Sequence, residues 1–478
     1  MRLPTLATLT ALVSVAPVVP LASAQQPVVF DAFFETRTMR LDYYHTGGVG
    51  SEIASLDQVV SDGPWAGSRT RLIDDTNLGP YRFVVRDART GGTLYSRGFS
   101  SLYAEWESTP EARTMHRTFH ESLRFPWPTG PVRVVVERRG LNGFQEVVAF
   151  AVDPAARSVN PAERPPMGTV WTLFEHGPSA AKVDLVLLGE GYTAAEQVKF
   201  HADATRLIER LFAYEPFRSR RQDFNVRAID LPAAESGVSR PHQGQYRRAT
   251  TGTQYSIFDS ERYMLTHDNR TLRDVLSAAP YEFFVILVNE KQYGGGGIFN
   301  FQATTSVDSE FSDYVFVHEF AHHFAGLADE YYTSPVVYET GGAAHAEPWE
   351  PNVTALHDPA RLKWGDLVPP GTPLPTAWDK ARYETHARDI QARRRVLIES
   401  RAPEAEFDRL FREQRAVERE MLAGMAHAGV VGAFEGASYE ARGLYRPEID
   451  CIMFTRNMTR FCRVCQRAIA RIIDLYAA

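Results

Sequence analysis

Two histidines four residues apart, with a glutamate directly after the first, stand at His318, Glu319 and His322 in the order H-E-x-x-H. On an α-helix residues i and i+4 lie one above the other on one face, so both imidazoles can grip the same ion. Zinc takes imidazole nitrogen and carboxylate oxygen, and a catalytic zinc keeps three protein ligands and one open position. Glu319 is placed to act as general base on the water bound there. This is the minimal pattern of a zinc peptidase helix. Gly326 suits the left-handed residue that ends such a helix and turns the chain back beneath the ion. An acidic pair follows where a third ligand is needed, with Asp329 the expected ligand and Glu330 its rival.

The surroundings favour a metal over a satisfied polar cluster. Few charges lie between Tyr314 and Ala328 outside the motif, so the helix is built for burial. Two histidines and a carboxylate are costly there unless something pairs with them. Ser312 or Asp313 is the expected N-cap. Gly294 to Gly297 precede Ile298 to Thr304 and read as the approach to an edge strand beside the helix. An exposed edge there would pair with an extended peptide. The glycine run lacks the lysine and following helix of a phosphate cradle.

The elements that must position this helix read as α/β. Lys182 to Leu188, Phe224 to Ile229 and Phe283 to Val288 are apolar strands. Thr193-Ala194-Ala195-Glu196 is a capping box opening a helix to about Tyr214, with Val198, Leu207, Ile208, Leu211 and Phe212 on its apolar side. Upstream, from about Val28 to Val152, short alternating segments with Gly/Asp/Pro turns predict a β-sandwich, including a hairpin from Val132 to Arg138 and Gln145 to Val152. His116 and His120 read there as ordinary polar residues. Pro154 to Pro166 has the composition of a linker. Between Lys380 and Met421 arginine and glutamate alternate; Phe407, Leu410, Phe411, Val417 and Met421 keep helical spacing. This predicts solvated helices with one packed stripe. A last helix is expected from Arg463 to Tyr476.

The 478 residues are 44% hydrophobic with a net charge of −7, enough for a large core and without the basic surface of a nucleic-acid binder. Met1-Arg2, the apolar run Leu6 to Leu21 and Ala22-Ser23-Ala24 form a signal peptide with cleavage expected before Gln25. The mature chain is therefore expected to be periplasmic or secreted, with no membrane insertion after cleavage. The three cysteines, Cys451, Cys462 and Cys465, allow one local disulfide with one thiol left over, the pairing being open. A four-thiolate zinc site is excluded for want of a second pair.

Further stretches carry a family resemblance: Val183 to Tyr192, Tyr214-Glu215-Pro216-Phe217, Glu235-Ser236-Gly237-Val238, Tyr293 to Phe301, the histidine stretch through Tyr331, Tyr445-Arg446-Pro447, Cys451-x-Met453 and Phe461-Cys462-Arg463-Val464-Cys465. As a set they resemble the M64 peptidases, metallopeptidases whose founding member cleaves immunoglobulin A. The resemblance implies zinc on His318 and His322, Glu319 as general base, and Met453 as a Met-turn beneath the metal. The chain departs from the family pattern at Ala325 and His323, while Gly326 remains. The fold expected is α+β and multidomain: a signal peptide at 1–24, a β-sandwich at 25–153, a linker at 154–168, and a metzincin-like zincin catalytic domain of α/β type at 169–478 with a charged helical insertion at about 380–428. The function expected is zinc-dependent endopeptidase action on protein or peptide substrates, with Tyr445 or Tyr331 as oxyanion donor. Two rivals share the site: a peptidase or amidase acting on peptidoglycan peptides, and a surface-binding protein with a structural zinc. Casein cleavage with and without chelator, and cell-wall fragments in the same assay, separate them.

Overall fold

The computed structural model describes residues 28–48, 50–333 and 345–477. The expected signal peptide lies outside them. No helix among the described residues is long and apolar enough to cross a membrane.

The first described elements are α1 (Phe30–Phe33), β1 (Phe34–Gly48) and β2 (Ser51–Pro64), followed by β3 (Tyr81–Asp87), β4 (Thr93–Phe99) and α2 (Leu102–Glu107). β5 (Arg117–Pro128), β6 (Val132–Gly140), β7 (Gly143–Val152) and β8 (Val159–Asn160) complete this part. They form two four-stranded sheets, β5-β1-β2-β8 and β4-β3-β6-β7. Alternation along each strand sends one set of side chains inward. Leu41, Tyr43, Phe83, Val85, Phe125 and Val134 meet there in one apolar cluster. β8 falls in the stretch read as linker and pairs in parallel with β2.

The sandwich core is also charged. Arg40, fully buried, donates to Asp42, to Asp62 at 2.8 Å and to Asp274 at 2.6 Å, and so ties β1 and β2 to the following region. His45 sits between Glu121 (3.0 Å) and Glu52 (2.9 Å). Ile298 and Phe301, from the stretch ahead of the histidine-bearing helix, share the sandwich's apolar cluster.

The second part is built on a six-stranded mixed sheet. Its elements are β9 (Thr169–Phe174), β10 (Val183–Glu190), α3 (Gln197–Leu211), β11 (Phe224–Asp230), β12 (Thr253–Gln254) and β13 (Leu265–Thr266). α4 (Asn269–Leu276), β14 (Phe283–Val288), β15 (Gly295–Ile298), β16 (Gln302–Ser306) and α5 (Ser312–Ala325) follow. The sheet order is β15-β16-β14-β10-β11-β9, parallel in the middle and antiparallel at both edges. β10 and β14 are buried along their whole length, as parallel strands covered on both faces must be. The expected capping box forms at Thr193 and Glu196, but Val198 is 83% exposed and does not belong to the apolar side of α3.

α6 (Lys380–Glu399) and α7 (Glu404–Ala423) form the helical pair, β17 (Phe434–Ala437) and β18 (Glu440–Arg446) a hairpin, and α8 (Arg463–Tyr476) the last helix. The pair is not simply solvated. Phe407 and Phe411 pack on Phe311 at the start of α5, and Val417 faces outward.

His45 makes the sandwich sensitive to alkali. Burial disfavours its imidazolium, but Glu121 and Glu52 outweigh burial and lift it to about 9. Its contribution to stability is therefore complete below the unfolded value near 6.5 and is lost as pH rises through about 9. Denaturant unfolding of wild type and His45→Gln should show a difference of about 3 kcal/mol below pH 6.5 that shrinks toward the alkaline end of that window. A pH-independent difference would refute this.

Candidate metal centre

α5 carries the motif and packs against β15 and β16. The reason is visible in the glycines. A Cβ at Gly297 would lie 2.3 Å from the Glu319 carbonyl and 2.9 Å from His322 Cβ; one at Gly295 would lie 3.0 Å from Glu319 Cγ. Only bare backbone lets the edge strand lie directly on the helix. The helix N-cap is Phe311, with no side-chain cap, rather than Ser312 or Asp313. Asp313 instead pairs with Arg206 and Arg210 on α3, where anchoring the helix outweighs capping it. At the other end Gly326 adopts φ +59° and closes the helix. A Cβ there would strike the Trp349 ring at 2.7 Å.

This turn returns the chain so that Asp329 meets the two histidines. His318 Nε2 and His322 Nε2 are 3.0 Å apart, and Asp329 Oδ1 lies 2.9 Å from the first and 3.2 Å from the second. The other ring nitrogens fix the tautomers. His318 Nδ1 is 3.1 Å from the Ile452 carbonyl, and His322 Nδ1 bonds the Leu327 carbonyl. A carbonyl only accepts, so both Nδ1 atoms carry hydrogen and both Nε2 atoms present lone pairs to Asp329. The Asp329 carboxylate is oriented in turn by Tyr439, whose hydroxyl donates to Oδ2. Tyr439 and Ser438 form the tip of the β17–β18 hairpin at φ +66° and +47°. These are left-handed angles usually given to Asn-Gly. Their N–H groups bond the carbonyls of Tyr331 and Asp329 and hold that segment in place.

Three lone-pair atoms this close call for a cation between or upon them. Burial opposes a positive charge on His322, but Asp329 raises it to about 9, while Asp329 itself is held far below the carboxylate range despite burial. A tetrahedral zinc with ligands at about 2.0–2.1 Å separates them by about 3.3 Å. The donor set and its spacing fit such an ion.

Glu319 lies beside the trio, and its carboxylate makes no hydrogen bond among the described residues. Burial raises its carboxyl above the ordinary value; the two histidines pull it down and Asp329 pushes it up. It faces a cavity of 440 Å³. The helical pair contributes Gln391 and Arg394 from α6 and Gln414 and Glu418 from α7 to its wall. A composition of alternating charges does not say which polar face lines a cavity, so sequence reading missed them. Arg394 Nε has no partner among the described residues, and burial together with Arg262 and Arg456 lowers the guanidinium to about 10. Arg262, by contrast, is held by Glu404.

The remaining expected residues divide. Tyr331 lines the cavity, its ring stacked 6.2 Å from that of His318. Tyr445 is not in the cavity wall; its backbone pairs with Thr354. The outer edge of β15 is occupied at Gly295, whose N–H and carbonyl bond Arg262 and Met264, so an unpaired edge begins only beyond it. His323 points away and bonds the Ile298 carbonyl. Glu330 turns from the histidines to a buried group of three cysteines. Those cysteines are all free: Cys451 and Cys465 sulfurs stand 3.9 Å apart, well beyond a disulfide bond of about 2.05 Å. The expected disulfide is therefore not present. Tyr439 and Tyr314, whose hydroxyl is 3.2 Å from His318 Nδ1, were invisible in the sequence because neither lies at a motif position.

The family model described as IgA Peptidase M64 matches residues 171–473, and that described as Peptidase M64 N-terminus matches residues 29–148. No curated protein matches the chain. With a mixed sheet, a helix bearing two histidines and the matched region spanning both, the chain belongs to the M64 peptidase family.

Proposed function

We propose that the protein is an exported zinc endopeptidase in which His318, His322 and Asp329 hold the metal and Glu319 is the general base. The convergence of two Nε2 lone pairs and one carboxylate oxygen within 3.2 Å supports this most directly. A family of metallopeptidases fits the same reading. Bound zinc would lower the pKa of water and polarise the scissile carbonyl. Glu319, raised by burial and without a hydrogen bond among the described residues, takes the proton of the attacking water and passes it to the leaving amine. Ile452 and Leu327 hold the imidazoles in the ligating tautomer, and Tyr439 holds the carboxylate. Tyr331 is the oxyanion donor of this reading, since it alone of the two tyrosines lines the cavity. The sandwich at 25–153 and the catalytic domain at 169–478 are the proposed units, and the leader at 1–24 sends the chain to the periplasm or beyond.

Substrate enters a cavity lined by Arg394, whose Nε has no hydrogen-bond partner among the described residues. A carboxylate on the peptide, from an acidic side chain or the C-terminus, is the group it would receive.

Glu319→Gln should retain wild-type zinc content while kcat on unfolded casein falls by about 10²–10⁴-fold; wild-type turnover would sink the assignment. Arg394→Met should raise KM for peptides bearing a carboxylate near the cleaved bond by about 10–100-fold and leave neutral peptides nearly unchanged. An equal effect on both would remove Arg394 from recognition.

A further inference from the structure

We propose that Glu330, Cys451, Cys462 and Cys465 form a second metal site, closed and four-coordinate, for a zinc-type divalent cation. One ligand atom from each of the four lies within 4.8 Å of all the others. Cys451 and Cys465 sulfurs are 3.9 Å apart, and Glu330 Oε1 is 3.3 Å from Cys465 Sγ and 3.9 Å from Cys462 Sγ. A tetrahedral zinc with sulfur at about 2.3 Å and oxygen at about 2.0–2.2 Å has ligand separations of about 3.5–3.8 Å. The separations of 3.3 and 3.9 Å straddle that spacing, and no pair of the four donors exceeds 4.8 Å.

The group is hard to explain without a cation. Glu330 is 0% exposed, as are Cys462 and Cys465. Its Oε2 has no hydrogen-bond partner among the described residues, although Asn352 donates to Oε1 at 3.0 Å. A carboxylate withdrawn from water with one oxygen orphaned is costly. As thiols, Cys462 and Cys465 would donate to Glu330 Oε1, but the sulfurs also accept: Cys451 Sγ receives N–H groups from Cys462 (3.2 Å) and Met453 (3.5 Å), and Cys462 Sγ receives that of Cys465 (3.4 Å). Thiols are weak acceptors, whereas ligating thiolates are held by such bonds. Soft sulfur with tetrahedral spacing selects zinc among the common divalent ions. Four protein donors leave no open position, so the site is structural.

Its placement gives it a task. Glu330 adjoins Asp329, and its N–H donates to the Met453 carbonyl at 2.8 Å. Cys451 adjoins Ile452, whose carbonyl aims His318. A cation here fastens together the two segments that shape the first cluster.

Cobalt(II) tests this, because the chain's only three cysteines are in this group, and the first cluster has nitrogen and oxygen donors alone. The full-length mature protein, stripped and titrated with cobalt(II), should develop an intense near-ultraviolet sulfur-to-cobalt band that saturates at one ion per chain. The band should survive His318→Ala/His322→Ala and weaken in Cys465→Ser. Zinc content of the protein as isolated gives a second reading that needs no stripping: two ions in wild type and one in the double histidine variant. Absence of the band at full loading, no zinc in the double variant, or one rather than three titratable thiols in denaturant would each overturn the proposal. Wild-type protein that shows the band yet cleaves no peptide, or a double histidine variant that keeps full peptidase activity, would count against the catalytic reading instead, so the two fail separately.

Discussion

Two carbonyl groups govern the chemistry of this fold. Ile452 and Leu327 accept the Nδ1–H of His318 and His322, and that choice of tautomer leaves both Nε2 lone pairs aimed at Asp329. If either carbonyl moved, the imidazole would be free to turn its hydrogen inward and the proposed ligand set would be lost. Leu327 is fixed by the helix end at Gly326, and Ile452 by the turn that holds Met453. The carbonyls are thus the point where helix, return loop and C-terminal segment must agree.

The segment after Gly326 works on two sides. Asp329 goes to the histidines and Glu330 to the cysteines, because neighbouring residues of an extended chain point opposite ways. Main-chain bonds from the hairpin tip at Ser438 and Tyr439 hold this segment from one direction. Met453 and Asn352 hold it from another. The backbone strain stored in two left-handed non-glycine residues at the tip is spent on aligning Asp329, a pattern expected near functional groups.

Much of this was legible in the sequence, and the reasons for success and failure are physical. The spacing of His318 and His322, the αL position at Gly326 and the capping box at Thr193 are local features, settled by three or four consecutive residues. The strands β10, β11 and β14 announced themselves as apolar runs. What failed was non-local. Phe311 rather than Ser312 or Asp313 is the N-cap of α5, and Asp313 is recruited by arginines a hundred residues away. The charged helices α6 and α7 wall the cavity, which no charge count reveals. The cysteines were read as a disulfide because only thiols were counted; their fourth companion, Glu330, is more than a hundred residues upstream and was considered only as a rival for the histidine cluster.

The most direct test of the central claim is anomalous diffraction at the zinc absorption edge from crystals of catalytically active protein. A peak bounded by His318 Nε2, His322 Nε2 and Asp329 Oδ1, with Glu319 beside it, is expected. Active crystals with no peak among those three atoms would contradict it.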